Sequence, residues 1–208
     1  MKKNTGTCLA IALIILTSCK TYLTDPKIIK EEFIEAGGGN PYVTSHLEFD
    51  INGGHFTIKG NVARAADSTS AITPLAYQHL LPFRLTGFIT EEKYLGDTMI
   101  ENKIFYKIEM VHSSKDLNDS TQCVVQYWIN RDDFSLGFVS YSQIENTKTA
   151  IHFLKAVNPR KINNIRFYDY VDHQPKDSSV QMGDLELVFT KGELQELGVI
   201  ELKNIIVH

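Results

Sequence analysis

The chain has 208 residues, of which 43% are hydrophobic and 22% are charged, and its formal net charge is −4. This balance is typical of an ordinary folded domain and excludes disordered, collagen-like and coiled-coil chains, while the length suits a single domain. The acidic total argues against a nucleic-acid partner, because phosphate binding requires a basic face.

The N-terminus has the parts of an export signal. Lys2 and Lys3 give a positive start, an apolar run extends from Cys8 to Leu16, and two small residues lead to Cys19. This order is typical of a secretory signal peptide. The apolar run is well short of the roughly 20 residues that a membrane-spanning helix needs.

The end of this segment, Leu16-Thr17-Ser18-Cys19, resembles the lipobox of bacterial lipoproteins, in which an apolar residue and two small residues precede a cysteine. In that family the signal is cut before the cysteine, which then carries acyl chains such as palmitate. The resemblance implies that residues 1–18 are a cleaved signal peptide and that Cys19 is the lipidated first residue of the mature chain. Its acyl chains would anchor the protein to a membrane.

The residue after the lipobox cysteine helps to predict the membrane in which the protein is anchored. Lys20 stands where an aspartate would resemble the inner-membrane retention signal of enterobacteria. An acidic run directly after the cysteine, which would resemble a signal for export to the cell surface, is also missing, because the first acid is Asp25. For a Gram-negative source the resemblance therefore implies the outer membrane, with the domain facing the periplasm. The inner membrane and the cell surface are the alternatives.

Cleavage would leave 190 residues with a formal charge of −6 and Cys123 as the one cysteine in the folded part. An intramolecular disulfide is then excluded. Cys123 lies in an alternating run, where a buried small hydrophobic residue is the favoured interpretation over a nucleophile.

Residues 19–41 are predicted to form a lipidated tether with one short helix. Thr24 is a candidate cap, Pro26 suits the first turn, and Ile29 and Phe33 share a face. The helix is either a spacer or an element that docks on the domain or on a partner through those two side chains.

Residues 42–208 are predicted to form a single β-rich domain. A strand from Val43 to Ile51 precedes Asn52-Gly53, whose positive φ angles suit a tight turn, and His55 to Arg64 should return antiparallel. Alternating patterns predict further strands at 84–90, 102–112, 121–130, 134–143, 161–171, 184–190 and 199–207.

The main helix is predicted at about 147–157, because Ala150, Phe153, Leu154 and Val157 would share one face. A short helix is predicted at 191–197. The fold class is therefore mainly β, an antiparallel β-sandwich or small barrel of roughly eight or nine strands with one main helix. An α+β fold is the alternative.

No zinc, nucleophile-elbow, phosphate-loop or dinucleotide motif is present, so no catalytic residue and no cofactor is predicted. Asp169, Asp172 and His173 are weak candidates for a divalent-metal site, with a solvated turn as the favoured interpretation. Tyr168 and Tyr170 could form an exposed binding face, although a place in the core is favoured.

The histidines give no motif either. His46 and His55 flank the first hairpin, where a two-histidine site is less favoured than solvated side chains, because His46 shares a polar face with Glu48. His152 is expected on the exposed side of the main helix.

These observations favour a lipid-anchored, non-enzymatic binding or assembly subunit of the cell envelope, with an envelope protein as partner. One alternative is a β-barrel carrier of an apolar ligand, which requires an unfilled interior. The other is an envelope hydrolase with a dispersed site at Asp169, Asp172 and His173.

Overall fold

The computed structural model describes residues 22–59, 62–65, 89–113, 122–145 and 148–208. Within these ranges the chain forms three α-helices, one 3₁₀ turn at Met182–Asp184 and eleven strands arranged in two antiparallel sheets. The mainly β prediction is confirmed. The signal peptide at 1–18, Cys19 and most of the strand predicted at 84–90 lie outside the described residues. Within the described ranges, no helix has both the length and the apolar character needed to cross a membrane.

The helices are α1 (Pro26–Gly37), α2 (Asn40–Thr44) and α3 (Leu185–Thr190), and the strands follow in chain order: β1 (His46–Ile51), β2 (Gly54–Lys59), β3 (Val62–Ala65), β4 (Ile89–Ile100), β5 (Lys103–Ser113), β6 (Gln122–Asn130), β7 (Leu136–Glu145), β8 (Lys148–Ile162), β9 (Ile165–Pro175), β10 (Leu194–Ile200) and β11 (Leu202–Val207).

The small sheet has the order β11-β1-β2-β3. Its β1–β2 hairpin confirms the prediction from Asn52-Gly53, which form the two-residue loop with φ angles of 48° and 85°. Positive φ at both loop positions is the requirement of a type I′ turn, whose twist matches that of the strands it joins. Leu47, Phe49 and Ile51 alternate inward along β1.

The large sheet is a meander of seven strands in the order β10-β9-β8-β7-β6-β5-β4. Only Glu201 separates β10, the edge strand of this sheet, from β11, the edge strand of the small sheet. The chain thus passes directly from one sheet to the other and closes the small sheet with its last strand.

One face of the large sheet, here called the inner face, shares a core with α1 and the small sheet. Ile29 and Phe33 of α1 pack in one buried cluster with Phe49 of β1 and Tyr127 and Tyr170 of the large sheet. The structure therefore shows α1 docked on the domain rather than as a free spacer. An ion pair between Lys30 and Glu92 of β4 attaches the helix at its edge.

The N-terminal cap of α1 differs from the prediction by one residue. The side chain of Asp25, not of Thr24, accepts a hydrogen bond from the backbone N–H of Lys27 at 2.9 Å. Both residue types cap helices well, so the sequence alone did not distinguish them.

The opposite, outer face of the large sheet carries a second cluster that includes Trp128, Phe138 and Phe153. Helix α3 covers it with Leu185 and Phe189. The Nζ atom of the buried Lys107 lies 2.8 Å from a carboxylate oxygen of Glu186 and 4.9 Å from the centre of the Trp128 ring. This pair attaches α3 to the sheet.

The main helix predicted at 147–157 is wrong, because residues 148–157 belong to β8. Phe153 enters the outer cluster whereas Leu154 enters the inner core. Because both faces of the sheet are covered here, apolar side chains occur at even and odd positions, and their spacing imitates one face of a helix.

The assignments at 184–190 and 191–197 are also wrong, and each has the opposite structure. The first segment is helix α3, and β10 begins at Leu194. The Thr190-to-Glu193 spacing suggested a helix start but marks a helix end, where the N–H of Gly192, at φ 72°, donates to the carbonyl of Phe189.

Candidate functional site

A cavity of about 520 Å³ opens at one end of the large sheet. Three connections meet there: the two-residue β4–β5 turn, the β6–β7 loop and the β8–β9 hairpin. We call it the basic cavity, and its lining residues include Lys103, Phe105, Gly137, Phe138, Lys155, Arg160, Lys161, Arg166 and Tyr168.

The cavity exists because two neighbouring strands separate. The last paired residues of β7 and β8 are Phe138 and Lys155, and β8 then shifts register between Val157 and Arg160. The backbone N–H of Leu136 donates instead to the hydroxyl of Tyr168, at 3.1 Å. The ends of β7 and β8 are therefore separated by a gap, and the polar groups of Leu136 and Tyr168 bond to each other beside it.

The floor is aromatic. The rings of Phe105 and Phe138 meet edge to face with centroids 5.6 Å apart. Gly137 permits this arrangement, since a Cβ atom at its position would lie 2.2 Å from Cε1 of Phe105. Phe105 can thus lie directly on the backbone of β7.

The lining is cationic although the whole chain is acidic. It contains five basic side chains and only two acids, Glu101 and Asp133. Lys155 is paired with Glu101 at 2.6 Å and Arg160 with Asp169 at 2.9 Å. In the part of the chain that the structure describes, the exposed Lys103 and Lys161 form no ion pair. The cavity therefore presents an excess of positive charge to solvent.

Tyr168 and Tyr170 do not form an exposed face, because their side chains are only 4% and 0% exposed. Their place in the core agrees with the favoured interpretation. Burial raises the pKa of the Tyr168 hydroxyl, although hydrogen bonds from Leu136 and Arg166 act to lower it. Burial also raises the pKa of the Tyr170 hydroxyl well above its usual value. Both hydroxyls are neutral at physiological pH, and Tyr168 serves as a wall of the basic cavity.

The structure does not bring Asp169, Asp172 and His173 together. Asp169 accepts hydrogen bonds from Arg160 and from the backbone N–H of Leu202, both at 2.9 Å. The ring of His173 packs against Phe189 with centroids 5.4 Å apart. The three side chains form no cation-binding group, because successive residues of β9 point to opposite sides of the sheet.

Asp172 instead pairs with His152, which lies buried in β8 rather than exposed on a helix. His152 Nδ1 donates to the Asp172 carboxylate at 3.0 Å, and its Nε2 accepts from the Gln174 amide at 3.1 Å. The imidazole is also stacked on Tyr141 at 5.0 Å. Both ring nitrogens of His152 are therefore engaged in contacts within the fold.

The two-histidine alternative at the first hairpin does not form either. In the β1–β2 register His46 lies opposite Lys59 and His55 lies opposite Asp50, so the two histidines occupy different ends of the hairpin. His55 pairs with Asp50 at 2.7 Å. Hydrogen bonds from Asn204 and His55 lower the pKa of Asp50.

No family model matches the chain, and no curated protein matches it in sequence. Its structure is similar to the crystal structure of a LolA superfamily protein from Nitrosomonas europaea, with a TM-score of 0.52 and 12% identity. The match covers 88% of this chain and 93% of the other. At this identity the likeness shows a shared fold.

Proposed function

We propose that this chain is a lipid-anchored, non-enzymatic binding protein of the cell envelope. Its ligand is the anionic headgroup of a membrane amphiphile, and the headgroup binds in the basic cavity. The observation that carries the proposal is the excess of cationic side chains around an aromatic floor. The lipid anchor is inferred from the resemblance of residues 16–19 to a lipobox.

The cavity suits both parts of such a ligand. Arginine and lysine side chains recognise phosphate oxygens through charge-assisted hydrogen bonds. The rings of Phe105 and Phe138 are 4% and 2% exposed, and their small accessible edges would form the apolar floor below the first carbons of the chain next to the headgroup. A small inorganic anion would use the first feature and leave the second unused.

The position of the anchor supports a ligand from the membrane. The guanidinium of Arg131, in the β6–β7 loop beside the cavity, lies 4.3 Å from the centre of the Tyr22 ring. Leu23 packs against the core. Tyr22 follows Cys19 by three residues, which span at most roughly 10 Å when extended. Acyl chains on Cys19 would therefore hold the cavity end of the sheet close to the bilayer.

Two alternatives are less well supported. In the described part of the chain, the space between the sheets is filled by side chains of α1, β1 and the inner face, which favours a binding site at the sheet end over an enclosed apolar carrier site. Both ring nitrogens of His152 already form hydrogen bonds within the fold, which gives no support to a hydrolase.

The proposed location is the outer membrane, with the domain facing the periplasm and an envelope protein as a further partner.

The anchor is tested by labelling cells with a palmitate analogue. The unsubstituted chain should take up the label, whereas Cys19→Ala should not. Labelling that persists in Cys19→Ala would contradict the lipid anchor.

The cavity is tested with a chain that begins at Lys20, so that neither acyl chains nor the apolar run from Cys8 to Leu16 can insert into the vesicles. We expect co-sedimentation with vesicles that contain phosphatidylglycerol and not with pure phosphatidylcholine vesicles. Adding Lys103→Glu and Lys161→Glu should lower the bound fraction at least tenfold. The matched control reverses the same charge at two exposed lysines away from the cavity, Lys176→Glu and Lys191→Glu.

Equal loss of binding in both double variants would mean that net charge, not the cavity, attracts the vesicles. Complete competition by millimolar inorganic phosphate would mean that the cavity binds a free anion and not an amphiphile.

A further inference from the structure

Two histidines and a glutamate meet on the solvent-facing side of the small sheet. The Nε2 atoms of His46 and His208 lie 3.8 Å and 3.4 Å from Oε1 of Glu48. One potential ligand atom from each of the three residues lies within 4.8 Å of the other two. In the described part of the chain, this is the one group of three or more such side chains at that spacing.

The pairing of β1 with β11 creates this group. Leu47 lies opposite Val207 in the antiparallel register, and His46 and His208 exchange backbone hydrogen bonds of 3.3 Å and 2.8 Å. The two rings consequently lie side by side, with centroids 5.1 Å apart. Glu48 follows His46 by two residues and so projects from the same face of β1, while Leu47 and Phe49 point into the core.

We propose that His46, Glu48 and His208 form a zinc site. Imidazole nitrogen and carboxylate oxygen are among the ligands that Zn²⁺ prefers, at metal–ligand distances of about 2.0–2.2 Å. Tetrahedral ligands at that distance lie roughly 3.4 Å from one another. The separations of 3.4 Å and 3.8 Å from Glu48 already approach this value, so small side-chain rotations complete the geometry.

The donor set separates zinc from the hard cations. Ca²⁺ and Mg²⁺ take oxygen ligands, and this group offers two nitrogens and one carboxylate. The three side chains are between 28% and 51% exposed. The fourth coordination position therefore faces solvent and would be filled by water, as in three-ligand zinc sites.

The same sheet contains a similar histidine–carboxylate pair that lacks a second imidazole. His55 and Asp50 lie 2.7 Å apart on neighbouring strands. Asp50 also accepts a hydrogen bond from Asn204 at 2.6 Å. This pair offers one imidazole and one carboxylate, so His55 is the control for nonspecific binding by a surface histidine.

Zinc at this position would cross-link β1 and β11. Because the three ligands come together only when those strands are paired, zinc should bind the folded chain and not the unfolded one. Binding of this kind raises the melting temperature as the concentration of free metal rises.

The experiment is a calorimetric titration of the metal-stripped protein with zinc chloride, followed by substitution with cobalt, whose visible absorption reports the coordination geometry. We expect one zinc per chain. His46→Gln and His208→Gln should each weaken binding at least tenfold, and Glu48→Gln should weaken it too. His55→Gln should leave the affinity within a factor of two. Melting curves in EDTA check that every variant folds.

The zinc site is refuted if the folded His46→Gln or His208→Gln protein binds zinc as tightly as the unsubstituted chain. An equal loss in His55→Gln would also overturn it, as would an octahedral spectrum of the cobalt-substituted protein that the three substitutions leave unchanged. The proposed zinc site lies on the small sheet, whereas the basic cavity lies on the large sheet. The outcome of the zinc titration is therefore independent of the outcome of the vesicle experiment.

Discussion

The two faces of the large sheet are built from the same strands but are covered differently. The inner face is covered by α1 and by the small sheet, and its cluster includes side chains from every strand from β5 to β9. The outer face is covered by α3, and beyond the helix it opens into the basic cavity.

This difference separates stability from binding within one sheet. The inner face combines apolar side chains that are almost inaccessible to water, which is the main source of folding free energy. The outer face combines a smaller apolar cluster with charged groups, among them Lys107 and the lining of the basic cavity. Substitutions on the two faces should therefore have effects of different size and kind.

The largest effect is expected on the inner face from Phe33→Ala. The Phe33 side chain is 2% exposed and packs in the shared core, so its truncation should lower the free energy of unfolding by about 3–5 kcal/mol. Urea unfolding measures the change. Ile28→Ala on the exposed side of the same helix is the control and should change stability by less than about 0.5 kcal/mol. A similar loss in both variants would mean that α1 is not docked through Phe33.

The next effect concerns the attachment of α3 to the outer face. Lys107→Met leaves the Glu186 carboxylate against the sheet without its cation. Because Glu186 remains 21% exposed, the loss should be about 2–3 kcal/mol, below that of a fully buried pair. A double-mutant cycle with Glu186→Gln measures the coupling. If the two single losses simply add, the ion pair does not attach α3.

A smaller loss, about 1–3 kcal/mol, is expected from Gly137→Ala at the floor of the basic cavity. The added Cβ would meet Phe105 at 2.2 Å and force its ring to move. The same change should weaken vesicle binding. Phe105→Leu in the Gly137→Ala background should recover part of the stability, because the smaller side chain relieves the contact. Unchanged stability in Gly137→Ala would show that Phe105 moves freely.

The smallest effect is expected at edge strand β4 and depends on pH. Partial burial, with the hydrogen bond that the Tyr94 hydroxyl donates to Asp97, raises the pKa of Tyr94 from 10.0 to about 12. The folded chain therefore holds this proton more tightly than the unfolded chain. Its contribution to stability is complete below about pH 10 and is lost as the pH rises toward 12.

Tyr94→Phe should accordingly reduce the decline in urea midpoint between pH 9 and pH 11 relative to the unsubstituted chain. The comparison cancels the contributions of the other tyrosines. A decline of the same steepness in Tyr94→Phe would show that this hydroxyl does not contribute.

The sequence predicted best the strands that have one buried face and one exposed face. Asn52-Gly53 between alternating runs identified the first hairpin, and the alternation at Ile104, Tyr106 and Ile108 identified β5. It failed for β8, where Phe153 and Leu154 are buried on opposite faces. It also missed most of β4, whose charged residues Glu91 and Lys93 are exposed at a sheet edge.

The candidate sites depend on contacts that no local pattern contains. Lys103 lies on β5 whereas Lys155 and Lys161 lie on β8, and only the register of the meander brings the three around one cavity. The spacing of His46 and Glu48 could be seen in the sequence. Their third partner, His208, required the pairing of β1 with β11, which joins residues from opposite ends of the domain.

The direct passage from β10 to β11 also constrains when the domain can fold. Strand β1 pairs with β11 on one side, so the small sheet remains incomplete until β11 has been synthesised. Contacts between such distant segments form slowly. Closure of the small sheet should therefore be a late step of folding, after the local hairpins of the large sheet have formed.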